Sequence, residues 1–172
     1  MGARALCVLP LAFFCAHAAT YLRRGEGVEI LWCCTVANLL VGAALLLGAA
    51  RLNAIGVSWL VFGDGLWLIG LLAGAPLLAT SLLTHLGGLL VGLLAVRRLG
   101  WPRRTPLWAL GALMGLQLVS RLATPAARNI NLAFAIPAGF EGWYPSYPVY
   151  YATMLPLTLA AFYLTERLCA SS

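Results

Sequence analysis

Apolar runs of about twenty residues alternate with short polar or basic breaks along nearly the whole chain. Six runs stand out, at about residues 5–21, 28–50, 54–73, 76–96, 105–122 and 149–168. Each is near the length that carries an α-helix across a hydrocarbon core of roughly 30 Å. A helix also satisfies its own backbone groups where no water can. The pattern predicts an all-α integral membrane bundle of six transmembrane helices, one domain over residues 1–172. The expected breaks are Arg23-Arg24, the turn Leu52-Asn53, Gly74-Ala75-Pro76, the basic stretch 97–104, and a long loop 123–148 rich in Pro, Tyr, Asn and Gly. Within the first run, Ala16-His17-Ala18 resembles a signal-peptide cleavage site. A lone n-region Arg4 and a histidine inside the motif favour a retained helix instead.

Composition agrees. Hydrophobic residues make up 62% of the chain and charged residues 9%, against about a quarter charged in an ordinary soluble domain. The net charge of +6 comes from arginine alone, in short clusters between apolar runs. That placement suits membrane topology and lipid headgroups, and no nucleic-acid partner is expected. Six crossings leave both termini on one side. That side carries Arg4, Arg51, Arg97, Arg98, Arg103, Arg104 and Arg167, and the other carries Arg23, Arg24, Arg121 and Arg128. The bias predicts cytoplasmic termini. Gly87-Gly88, Gly92, Gly111 and Gly115 read as surfaces for close helix packing.

Ionisable and polar groups inside apolar runs are costly and mark candidate sites. With a rise of about 1.5 Å per residue, Cys34 lies roughly 9 Å and Asn38 about 15 Å in from the non-cytoplasmic side. Asp64 and His85 both lie roughly 13 Å from it. His17 is near the same end, and Arg121, Asn129 and Asn131 come from the adjoining helix end and loop. The cytoplasmic half is nearly bare of such groups. A shared polar cavity in the outer half of the membrane is therefore expected. Each residue also has a plain structural reading: Cys34 as a small hydrophobe, Asn38 as interhelical glue, and Asp64 as a partner of Arg121 or a histidine.

The order of elements adds to this. The second run reads Leu31-Trp32-Cys33-Cys34-Thr35-Val36-Ala37-Asn38, and His85 follows 51 positions after Cys34 in Thr84-His85-Leu86-Gly87-Gly88. Then come Asn129-Ile130-Asn131-Leu132-Ala133-Phe134 and the aromatic lead Tyr144-Pro145-Ser146-Tyr147-Pro148. From about residue 30 to 155 this resembles the YwaF-like, transmembrane protein 164-like family of small multi-helix membrane proteins, more distantly the androgen-induced membrane hydrolases. Thr35 stands where that family has an acidic residue, and Leu132-Ala133 where it has tyrosine and methionine. The resemblance implies a Cys–His pair acting on lipid acyl esters, as acyltransferase or hydrolase, through a thioester intermediate.

The expected roles follow. Cys34 is the nucleophile, with Cys33 as the alternative thiol, and His85 is the base. Asp64 or Asn38 orients the imidazole. Asn38, Asn131 or Thr35 supplies oxyanion donors. Arg121 or Arg128 meets a lipid phosphate, with Asn129 and Phe134 beside them. Trp143, Tyr144, Tyr147, Tyr150 and Tyr151 fall in the headgroup zone. The expected partner is a membrane lipid substrate. No cofactor is expected and no metal-ligand spacing stands out. The five cysteines form no disulfide framework. The competing readings are a non-enzymatic lipid-, sterol- or small-molecule-binding membrane protein and a packing subunit of a larger complex.

Overall fold

A computed structural model describes residues 3–74 and 76–170. Ala75 of the expected Gly-Ala-Pro break and the side chain of Arg4 lie outside the described residues. Within them the protein is all-helical, with no strand. Helix α1 spans Val8–Arg23 after a 3₁₀ turn, α2 Cys33–Leu47 and α3 Ala50–Leu72. Helix α4 runs over Ala79–Leu99, α5 over Thr105–Ala123 and α6 over Tyr147–Ala170. Four helices are long and apolar enough to cross a membrane: Ala5–Arg23, Ala50–Leu72, Ala79–Leu99 and Thr105–Ala123.

Hydropathy placed these helices correctly but misplaced several of their ends. The second run breaks at both ends. It begins as a 3₁₀ turn, Gly27–Leu31, passes through extended Trp32 (ψ 135°), and becomes α-helical only at Cys33. It stops at Gly48, whose left-handed φ of 68° closes the helix. The turn is therefore Gly48-Ala49, and the expected turn at Leu52-Asn53 is the first part of α3. Apolar residues continue through Gly48 without change, so hydropathy had no break to mark there. Asn53 is then fully buried inside α3, donating to the Gly92 carbonyl of α4 at 3.0 Å. The half of the bundle expected to be bare of polar groups thus holds a buried amide. The fourth run starts at Ala79, three residues after the expected Pro76.

Helix α3 is the central post, packing against α2, α4, α5 and α6. Close approach is set by small residues. A Cβ on Gly88 would overlap the Asn38 amide, and one on Gly92 would come within 2.7 Å of Val57. Gly87 and Gly88, like Gly92, thus pack as the sequence suggests. Gly111 and Gly115 do not: a Cβ on either meets nothing within 4 Å, so they line an open face of α5.

Candidate functional site

Cys34 lies in the first turn of α2. Asn131, on the loop after α5, builds that helix end. Its Oδ1 accepts from the Cys33 N–H at 2.7 Å, and its Nδ2 donates to the Leu31 carbonyl at 2.8 Å and to Ser120 Oγ at 3.0 Å. A helix N-terminus leaves N–H groups unpartnered, and here a residue 98 positions away supplies the cap. The loop bends sharply to do so. Asn129, Asn131 and Leu132 all hold positive φ, at 44°, 55° and 55°. Asparagine visits this region readily, whereas for leucine it costs about 1–2 kcal/mol. Two bonds offset that cost: Gln117 Nε2 donates to the Asn131 carbonyl at 2.9 Å and Tyr147 Oη to the Leu132 carbonyl at 2.9 Å.

On the other side of α2, three reactive side chains meet. Donor atoms of Cys34, Asp64 and His85 all lie within 4.8 Å of one another, and all three residues are buried. His85 Nδ1 and Asp64 Oδ1 are 2.6 Å apart. An ionised carboxylate only accepts, so a neutral His85 facing an ionised Asp64 donates through Nδ1 and keeps the Nε2 lone pair. The Trp67 ring stacks on the imidazole with centroids 4.5 Å apart and planes 10° from parallel. Trp67 escaped sequence reading, although its place three residues after Asp64 puts both on one face of α3. Gly63 completes the notch, since a Cβ there would overlap the Cys34 sulfur.

His85 sits in a π turn, Leu83–Gly87, within α4. Such single turns shift the side-chain register and recur at functional sites. The Thr84 carbonyl of that turn accepts from Asn38 Nδ2 at 2.9 Å, and the Cys34 carbonyl accepts from the same nitrogen at 2.9 Å. Asn38 therefore has no side-chain N–H left for an oxyanion or for His85. It acts as a brace between α2 and the π turn. Asn131 is likewise committed to the backbone, so neither amide serves the donor role expected of it.

The remaining sequence candidates scatter around this core. His17 bonds Thr80 on α4 at 2.9 Å, outside the cluster. Thr35 is buried on α2. Asn129 Oδ1 accepts the N–H groups of Phe134 and Ala135, stapling its own loop. Arg121 does not pair with Asp64. Its Nε donates to the Ala133 carbonyl at 2.5 Å, and its guanidinium lies over Phe134 and Tyr147. Arg128 is held by Glu29 and by Glu26, the latter at 3.4 Å. That pairing keeps its guanidinium pKa above the usual value. Tyr144 and Tyr147 pack edge-on or tilted against Tyr150, and Trp143 is exposed against Phe140.

The single expected polar cavity is two networks that meet at the start of α2, where the Cys33 and Cys34 sulfurs lie 3.9 Å apart. A partly open cavity of about 70 Å³ adjoins the Asn131 network, lined by Cys33, Asn131, Gln117 and Tyr151 with apolar residues of α3, α5 and α6. Cys34, Asp64 and His85 do not line it. Gln117 was also missed, although a lone amide in Leu116-Gln117-Leu118 is the polar signal that marked the other candidates. The Cys34, Asp64 and His85 donors are also a set able to hold one divalent ion, a grouping that their distant positions in the chain conceal. Compared with known protein families, with curated proteins and with solved structures, the chain finds no match in any of the three.

Proposed function

We propose that the protein is a membrane-embedded acyl-transfer enzyme that uses Cys34 as nucleophile, His85 as base and Asp64 as the partner of the imidazole. The observation that carries this reading is the meeting of the three groups within 4.8 Å, with Asp64 already bonded to His85. In this reading all six helices cross the bilayer and the arginine bias puts both termini in the cytoplasm. The short α2 crosses together with its leading turn. Fifteen α residues at 1.5 Å add about 22 Å, and five 3₁₀ residues at 2.0 Å add about 10 Å.

The chemistry balances within the triad. The Cys34 sulfur bonds to the ester carbonyl carbon as its proton moves to His85 Nε2. The tetrahedral oxyanion collapses, the ester C–O bond breaks, and the leaving alkoxide takes the proton from His85. A thioester on Cys34 and a lysolipid result. Water or a lipid hydroxyl then attacks the thioester, giving its proton to His85, which returns it to the departing thiolate. Asp64 stabilises the imidazolium at each stage, and the Trp67 face adds to that. The backbone N–H of Cys34, in the first turn of α2, is the donor this reading assigns to the oxyanion.

The test uses purified protein and a lipid ester with a tagged acyl chain. Wild type and Cys33→Ala form a hydroxylamine-labile label, and Cys34→Ala does not. Full labelling and turnover by Cys34→Ala would overturn the reading. A second reading draws on Asp64 Oδ2, which is buried without a partner. A divalent ion on Cys34, Asp64 and His85 would leave a fourth position open to water. Stoichiometric zinc that is lost in Cys34→Ser, with turnover abolished by a chelator and restored by zinc, would favour it over the nucleophile.

A further inference from the structure

We propose that the groove between α5 and α6 is a glycerophospholipid site, with the phosphate on Arg121 and one chain lying along the Gly115 floor. The proposal rests on the membrane reading above but not on the acyl chemistry. The groove encloses about 510 Å³. Its floor is Met114, Gly115 and Leu118 of α5, and Arg121 and Tyr147 stand at its mouth.

The two arginines near this loop differ in what they have left to bind. Arg128 is taken up by two carboxylates. Among the described residues Arg121 has no carboxylate partner, and only its Nε is used, on the Ala133 carbonyl. That bond and the Phe134 and Tyr147 rings hold the guanidinium plane, leaving its two Nη groups as a fork. A fork of that kind matches the oxygens of a phosphate. Arg121 sits in the last turn of α5, at the headgroup level of a crossing helix. Gly115 is six residues earlier, about 9 Å deeper along the axis, and Gly111 continues the open strip. A cation above an apolar trough without side chains has the layout of a phospholipid, charged at one end and aliphatic along its length. A protein helix would need no anion at that end.

The inner wall of the groove is thin. Tyr151 Oη donates to Gln117 Oε1 at 3.0 Å, and this pair lines both the groove and the cavity that reaches Cys33. The lipid thus lies one hydrogen-bonded pair away from the first turn of α2.

Native mass spectrometry on the full chain tests this with ether-linked phosphatidylglycerol, which has no ester to turn over. Binding is then read whether or not the acyl chemistry is correct, and Cys34→Ala binds as wild type does. We expect retained lipid on wild type and on Arg128→Gln. Arg121→Gln and Gly115→Leu should each weaken retention by about tenfold, the loss of one charge-assisted contact or of the trough. The Gly115 site is open, so that variant folds. Equal retention of a dialkylglycerol lacking phosphate, or displacement by millimolar inorganic phosphate, would overturn the proposal. So would a dimer that Gly115→Leu dissociates while lipid retention stays unchanged, since the groove would then belong to a second copy of the chain.

Discussion

Two adjacent cysteines at the start of α2, their sulfurs 3.9 Å apart, border different surroundings. The Cys34 sulfur lies in a notch made by Gly63, beside a buried carboxylate–imidazole pair. Cys33 lines a small cavity toward α5 and α6, beyond which lies an open groove. One side is closed by packing so tight that a methyl group does not fit. The other has glycines with empty space over them. The contrast teaches that polar clustering and open space are divided between neighbouring faces of one helix turn. On the Cys34 side three polar side chains pack together, and on the Cys33 side there is open volume.

The comparison is tested most severely by rate. His85→Ala should lower acyl turnover by about 10²–10⁴-fold, the usual contribution of a positioned base, while Gln117→Ala leaves a thioester able to form. If the two variants lose activity equally, the division between faces is wrong. Next in size is the cap that both faces share. Asn131→Ala removes three bonds and strands the Cys33 N–H and Leu31 carbonyl. At about 1 kcal/mol per bond it should cost about 3 kcal/mol, read as a lowered unfolding midpoint in detergent. Asn131→Asp, which keeps the acceptor for Cys33, should cost less.

The glycines sharpen the contrast further. Gly63→Ala overpacks the Cys34 notch and should destabilise by about 1–3 kcal/mol. Gly115→Ala meets open space and should stabilise by up to about 1 kcal/mol through helix propensity. A reversal of these signs, measured by thermal unfolding, would show that the two faces are not packed as described. The smallest effect belongs to Arg128→Gln at the exposed rim. The guanidinium stays 40% exposed beside Glu26 and Glu29, where an ion pair is worth about 0–1 kcal/mol, so the midpoint should move little.

Much of this was legible before the fold. Cys34, Asp64 and His85 stood out because an ionisable or nucleophilic group in an apolar run demands a reason, and the three do converge. Trp67 was not legible, because a tryptophan in a hydrophobic helix carries no polar signal until a ring is found beneath it. Asn38 and Asn131 were marked as important but assigned the wrong task. An amide announces only that it will bond something, and both prove to bond backbone. Asn53 was taken for a turn residue because Leu52-Asn53 follows Arg51, and hydropathy does not distinguish a buried amide from a loop.

By itself, the chain's alternation of apolar runs and arginine clusters determined an all-helical protein with helices long enough to cross a membrane, since length and transfer cost are properties of each segment alone. It also nominated the residues whose burial needs a partner. Only the tertiary structure decided who those partners are. The π turn that aims His85, the distant cap that starts α2 at Cys33, and the different surroundings of Cys33 and Cys34 all depend on contacts between segments far apart in the chain. Side-chain direction around a helix end changes by about 100° per residue, so an error of one residue in a boundary turns a site toward a different neighbour.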